Sequence, residues 1–158
     1  MNAFVREHFD IMKQTLALRG FLLDALTDAD LDFSPGGNAL TLRELCKQIG
    51  ETQQAYIDSY TTLRHDYGYT TDDASVVTDV AAIKAWYGEL DRALLAAIES
   101  KTDADLNQNM VDRVTFKIPL AVQAHLFREA LFIFYGAANV YVATMNKQVG
   151  GYWHQWIG

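Results

Sequence analysis

The sequence lacks most of the features that stabilise small secreted or metal-bound folds. It has one cysteine, Cys46, among 158 residues, so this chain alone can form neither an internal disulfide nor a thiolate zinc cage. It has only two prolines, and both lie outside the interiors of the helical patterns. The formal net charge of −7 argues against nucleic acid and against an anionic membrane surface as partners, because both are bound through Lys and Arg.

Signals for secretion and for membrane insertion are also missing. The first eight residues do not combine a basic start with an apolar run, so we expect no signal peptide and a cytoplasmic protein. Residues 130–145 carry no charge, but these 16 residues are fewer than the roughly 20 that a spanning helix needs. We therefore expect a buried helix here and no membrane partner.

The composition that remains is typical of one all-α domain over residues 1–158. Half of the residues are hydrophobic and 12% are aromatic, which is enough for a single core and excludes disorder. Apolar residues recur at spacings of three and four, which predicts four helices near residues 3–25, 41–63, 79–99 and 119–146. Long loops separate the first helix from the second and the third from the fourth. We predict a four-helix bundle, with a short extended piece within residues 111–116.

Local signals fix where two of these helices begin. Thr41 and Glu44 have the spacing of a capping box at the start of the second helix. Pro119 suits the first position of the fourth helix. That helix is apolar nearly all round, so either the bundle or a second subunit must cover it, and we expect a homodimer through aromatic helix surfaces. The aromatic residues 150–158 are expected to pack back or onto a partner.

A five-residue segment occurs twice. Residues 27–31 and residues 102–106 both read Thr-Asp-Ala-Asp-Leu, and each copy follows the end of a predicted helix. This repeat suggests two helix–loop–helix halves. An offset of 77 residues between the halves then pairs Gln48 with His125, at similar depth in the bundle.

Few residues indicate chemistry. The chain has no phosphate-binding glycine loop, no nucleophile elbow and no Glu-x-x-His pair. His125 and Glu129 are four residues apart in the fourth helix and so share one of its faces. They form either a pocket with His125 as acid/base or ligand, or a hydrogen-bonded pair inside the core. We expect Cys46 to be a buried small hydrophobe and His65 to be a surface residue.

Two local patterns resemble those of the DinB/YfiT-like proteins. Residues 41–49 look like that family's opening of helix two, and Gly136 followed five residues later by Tyr141 resembles its fourth helix. The resemblance covers nearly the whole chain and implies a DinB-like four-helix bundle.

The same resemblance implies where a divalent metal would be bound. In the family one histidine on helix two and two histidines four apart on helix four hold the ion. The matching positions here are Gln48, Ala130 and Phe134. The comparison therefore implies that the family metal site is lost and that the chain uses no metal cofactor.

Two functional hypotheses follow, and they leave open whether the protein is an enzyme. In the first, the bundle keeps its cavity and serves as a small-molecule-binding or dimeric interaction protein. In the second, it is a small-molecule enzyme of the thiol-dependent transferase or isomerase type, as the resemblance implies, with His125 as general acid/base and Glu129 as its orienting partner. In both, the expected pocket is lined by Gln48, His125, Glu129, Ala130 and Phe134.

Overall fold

A computed structural model describes all 158 residues and contains the four long helices that the apolar spacing predicts. The helices are α1 (Ala3–Asp24), α2 (Leu42–Thr62), α3 (Val80–Glu99), α4 (Asp103–Gln108), α5 (Leu120–Thr144) and α6 (Trp153–Trp156). Helices α1, α2, α3 and α5 are the four long ones, and they confirm the predicted bundle. The loop between α3 and α5 also contains a hairpin of two strands, β1 (Met110–Asp112) and β2 (Lys117–Pro119).

The start of α2 follows the capping prediction. The amide of Thr41 donates to Glu44 Oε2 at 2.7 Å, and the Thr41 hydroxyl accepts from the amide of Glu44 at 3.2 Å. The start of α5 differs by one residue. Pro119 has ψ 148° and pairs with Met110 in the hairpin, so it precedes the helix rather than opening it.

The core is one cluster of 34 buried hydrophobic residues, and α2 lies in contact with both α3 and α5. Helix α5 is long and apolar enough to cross a bilayer by length and composition alone. In the structure it packs with the other long helices and buries ten of its residues, as a core helix does. Its apolar character is therefore explained by its place in the bundle.

The aromatic C-terminal segment packs back onto α5, which is one of the two outcomes expected for it. Trp153 is fully buried, with its ring centre 5.5 Å from that of Tyr135, and its indole N–H donates to Asn139 Oδ1 at 3.1 Å. The aromatic rings of α5 lie mainly inside the bundle, and its exposed large hydrophobic residues are Ile133 and Val140. The homodimer stays a prediction, which the molecular mass in solution would test.

Both copies of the repeated segment adopt the same local structure. Thr27 forms a capping box with Asp30 at the start of a short 3-10 helix, and Thr102 forms one with Asp105 at the start of α4. The leucine that ends each copy is buried. The repeat thus marks two equivalent capped turns that anchor the loops to the core.

The hairpin docks against the end of α2. Leu63 adopts a left-handed backbone conformation with φ 54° and ends the helix. The amide of His65 then donates to the carbonyl of Asp112, and the amide of Asp112 donates to the carbonyl of Leu63, both at 2.9 Å. The predicted extended piece is therefore displaced: residues 113–116 form the turn, and the strands flank it. This pairing brings the loop after α2 beside the hairpin turn.

Candidate functional site

An apolar hollow runs along the groove between α2 and α5. Its volume is about 310 Å³. It is lined by Leu45, Gln48, Ile49, Thr52, Ala130, Ile133, Phe134 and Ala137. Three of the five side chains expected in one pocket, those of Gln48, Ala130 and Phe134, thus meet here. Gln48 is exposed at the rim, whereas Phe134 is buried.

A more polar hollow of about 390 Å³ continues this groove towards the end of α2. The two share Gln48, Thr52 and Ala130, so they form one cleft with an apolar end and a polar end. The polar end is lined by Glu51, Ala55, Tyr56, His65, Asp66, Tyr67, Gly68, Tyr69, Thr70 and Arg113. We call these two hollows together the α2–α5 cleft.

Arg113 is the buried cation of the α2–α5 cleft, and its side chain bonds only to neutral acceptors. Only 7% of the residue is exposed. Its Nε donates to the hydroxyl of Tyr67 at 2.9 Å, Nη1 to Oε1 of Gln123 at 2.6 Å, and Nη2 to the hydroxyl of Tyr56 at 3.3 Å. None of the eight ion pairs in the chain involves Arg113. This charge has no counter-ion from the protein.

His65 lies beside this arginine and is held neutral. Its ring centre is 4.4 Å from that of Tyr56 and 4.5 Å from that of Tyr67. Burial, together with the nearby charge of Arg113, lowers the pKa of His65 to about 4. At neutral pH the imidazole is therefore uncharged and adds no positive charge to the cleft.

Gln123 connects this cluster to the core. Its Nε2 donates to the hydroxyl of Ser59 at 2.7 Å and lies 3.5 Å from Nδ1 of His65, while its Oε1 accepts from Arg113. Ser59 in turn donates to the carbonyl of Tyr56 at 2.6 Å. The end of α2, the start of α5 and the hairpin turn thus hold Arg113 in one position.

The structure separates His125 and Glu129 from the rest of the expected pocket. Both are exposed, so the expectation that they face the core is wrong. Helix α5 buries the face that carries Ala124 and Phe127, and a residue one position along a helix turns by about 100° from its neighbour. Because α5 carries apolar residues on both faces, its sequence does not show which face is buried.

His125 lies instead in a separate hollow of about 170 Å³, near the start of α1. Its ring centre is 5.5 Å from that of His8, and burial and the charge of His8 lower its pKa. Gln48 does not line this hollow, so the pairing of Gln48 with His125 suggested by the repeat does not bring them into one site. The catalytic roles proposed for His125 and Glu129 stay predictions.

Sequence reasoning missed the polar end of the cleft. His65 was expected at the surface, yet only 4% of it is exposed, because the loop pairs with Asp112 and folds the ring inward. One signal was present in the sequence: Gln123 precedes Phe127 by four residues and so shares its buried face. A glutamine on an apolar face needs hydrogen-bond partners, which indicates a polar cluster.

The donor set for metals is sparse. No group of three or more His, Cys, Asp and Glu side chains is placed to hold a metal ion.

Cys46 is fully buried, as expected, and burial raises the pKa of its thiol to about 12. The thiol is therefore protonated at neutral pH and is not a nucleophile.

Comparison with known proteins gives a family and a fold. A family model described as the DinB superfamily matches residues 13–129, ending one residue before Ala130. A search of curated proteins gave no match. A crystal structure of a DinB-like protein from Bacillus cereus has a TM-score of 0.73 at 23% identity, covering 90% of this chain and 93% of that one. The crystal structure of the DinB-like protein YjoA from Bacillus subtilis has a TM-score of 0.68 at 15% identity, covering 90% and 97%.

Proposed function

This chain belongs to the DinB superfamily, and we propose that it binds a small organic molecule in the α2–α5 cleft without a metal ion. One observation carries the proposal. Gln48, Ala130 and Phe134, which the resemblance described in the sequence analysis matches to the family's metal-binding histidines, line one hollow together. Ala130 and Phe134 have no atom that can bind a metal, and one amide oxygen is a poor substitute for three imidazoles.

The shape and lining of the cleft support a small organic ligand. Small-molecule sites commonly occupy about 300–1,000 Å³ and combine apolar walls with a few polar groups, and the two hollows here have volumes of about 310 and 390 Å³. Leu45, Ile49 and Phe134 line the apolar end. Tyr56 and Arg113 line the polar end. A ligand with one apolar part and one polar part fits both.

Zinc titration of the untagged protein tests the metal-free half of the proposal. We expect isothermal titration calorimetry to detect no stoichiometric binding to the wild-type chain. A variant carrying Gln48→His, Ala130→His and Phe134→His should bind one zinc per chain, because these three side chains share one hollow and the two on α5 are four residues apart.

The matched control carries Gln48→His and Ala130→His only, and we expect it to bind zinc more weakly because it lacks the third ligand. One equivalent of zinc, nickel or iron bound tightly by the wild-type chain would overturn the proposal. A folded triple variant that binds no better than the double variant would contradict the placement of the three positions around one hollow.

A further inference from the structure

We infer that the ligand of the α2–α5 cleft carries a carboxylate, and that the guanidinium of Arg113 binds it. The inference rests on the proposed function and adds the chemical class of the ligand. It assigns the polar end of the cleft to the head group and the apolar end, towards Phe134, to the hydrocarbon part of the molecule.

The hydrogen bonds of Arg113 leave donors unused. A guanidinium has five N–H donors, and the protein supplies acceptors to three of them, the hydroxyls of Tyr67 and Tyr56 and Oε1 of Gln123. One N–H on Nη1 and one on Nη2 have no acceptor from the chain. An arginine with free N–H groups at the base of a cleft is suited to accept a carboxylate, which offers two oxygens.

Other groups at this end of the cleft also have donors that bond to no protein atom. The hydroxyls of Tyr56 and Tyr67 accept from Arg113, and neither donates its own proton to a protein atom. Burial raises the pKa of Tyr56, so its hydroxyl keeps that proton at neutral pH. Nε2 of His65 makes no hydrogen bond within the chain either. The side chains of Arg113, Tyr56, Tyr67 and His65 thus offer donors that a carboxylate can accept from.

The charge of Arg113 is only partly compensated within the chain, because its guanidinium carbon lies 5.3 Å from the ring centre of Tyr56, 5.2 Å from that of Tyr67 and 5.9 Å from that of Phe116. These cation–π contacts offset part of the cost of burying the cation, but no carboxylate of the chain forms an ion pair with it. A carboxylate from the ligand would supply the counter-ion that the chain lacks. Binding of such a ligand would thus complete the compensation that the aromatic rings begin.

The surrounding charges favour a monoanion over a phosphate dianion. Glu51 and Asp66 also line the polar end. Glu51 is held by Lys47 at 3.4 Å and by the amide of Thr71 at 2.9 Å, and Asp66 accepts from the amide of Gly68 at 2.9 Å. These carboxylates remain as negative neighbours of the head group. A second charge on the ligand would be repelled by them, so a carboxylate is the better match.

Octanoate and its neutral analogue octanamide test this inference. We expect calorimetry on the wild-type chain to give binding of octanoate about tenfold or more tighter than that of octanamide, the effect of a charge-assisted hydrogen bond. In proton–nitrogen correlation spectra, octanoate should shift the side-chain Nε–H signal of Arg113. Octanamide should shift backbone signals of the apolar end but leave that side-chain signal nearly unchanged.

Variants separate the charge of Arg113 from general effects on the fold. Arg113→Gln should abolish the preference for octanoate, and Arg113→Lys should retain part of it because a point charge remains without the planar fork. Arg64→Gln is the matched control: this exposed arginine lies just after α2 and does not line the cleft, and its substitution changes the net charge equally. It should keep the preference.

Tyr67→Phe keeps the test decisive if Arg113→Gln does not fold, since Tyr67 is 60% exposed and its hydroxyl contacts Arg113. We expect this variant to weaken octanoate binding more than octanamide binding. Equal affinities of the wild-type chain for both compounds would overturn the carboxylate assignment and leave a metal-free small-molecule cleft intact. Binding of neither compound, or a preference that Arg113→Gln retains, would also overturn the assignment.

Discussion

Arg113 and His65 lie side by side and are both buried, but they differ in charge. A guanidinium stays protonated in any protein environment, so Arg113 keeps its charge in a site that is 7% exposed. An imidazole loses its proton when burial and a neighbouring cation disfavour the charged form, so His65 is neutral. Arg113 is thus the one cation that lines the polar end of the cleft, and His65 adds no positive charge to it.

The lowered pKa of His65 makes stability depend on pH. The unfolded chain binds a proton near the ordinary pKa of 6.5, whereas the folded chain does so only near 4. The stabilising contribution is therefore complete above pH 6.5 and decreases as the pH falls from 6.5 to 4. We expect this group alone to lower the free energy of unfolding by about 2–3 kcal/mol over that interval, measured by urea denaturation.

The variant His65→Phe removes the titrating group and keeps a ring between Tyr56 and Tyr67. Its free energy of unfolding should fall less between pH 6.5 and 4 than that of the wild-type chain. His154→Gln is the control substitution, because this histidine is exposed and does not line the cleft. Parallel curves for His65→Phe and the wild-type chain would contradict the neutral, buried state of His65.

At the scale of the elements, the approach of α3 to α2 depends on Gly50. A Cβ atom on Gly50 would overlap the ring of Trp86, far inside van der Waals contact. We expect Gly50→Ala to lower the free energy of unfolding by about 1–3 kcal/mol, because the rigid indole has to move. Thermal or urea denaturation measures this change.

Gly136 provides the matched control in α5. A Cβ atom there would meet nothing within 4 Å, and the residue is exposed. Gly136→Ala should raise the free energy of unfolding by up to about 1 kcal/mol, because glycine is a poor helix former. Equal effects of the two substitutions would show that helix propensity, and not the contact with Trp86, dominates at Gly50.

The sequence predicts the long helices well and the polar end of the cleft poorly, for different physical reasons. Apolar residues at spacings of three and four, together with the capping pair Thr41 and Glu44, are local signals, so the helix boundaries follow from them. His65 and Arg113 lie on a loop and in a hairpin turn, and they meet only through backbone pairing at Asp112. No periodicity in the sequence encodes that contact.

The apolar end of the cleft shows what a family pattern adds. Position matching placed Gln48, Ala130 and Phe134 together, and they line one hollow. Reasoning from polarity alone selected His125 and Glu129, which are exposed. Helix α5 has apolar residues on both faces, so its sequence does not distinguish the buried face from the exposed one.

At the scale of the whole molecule, the bundle supplies a rigid frame and the loops complete the site. Helices α2 and α5 form the two walls of the cleft, and the loop after α2 and the hairpin close its polar end. The repeated segments anchor loops elsewhere in the bundle through buried Leu31 and Leu106. The cleft is thus built from elements that are distant in the sequence and fixed by the core.

Ligand mapping with and without a chelator tests directly whether this cleft binds a small molecule without a metal ion. Proton–nitrogen correlation spectra of the untagged protein are recorded with octanoate, before and after addition of EDTA. We predict shifts of the backbone signals of Gln48, Thr52 and Ala130 that are the same in both conditions. Shifts that vanish with EDTA, or shifts confined to residues outside the cleft, would contradict the claim.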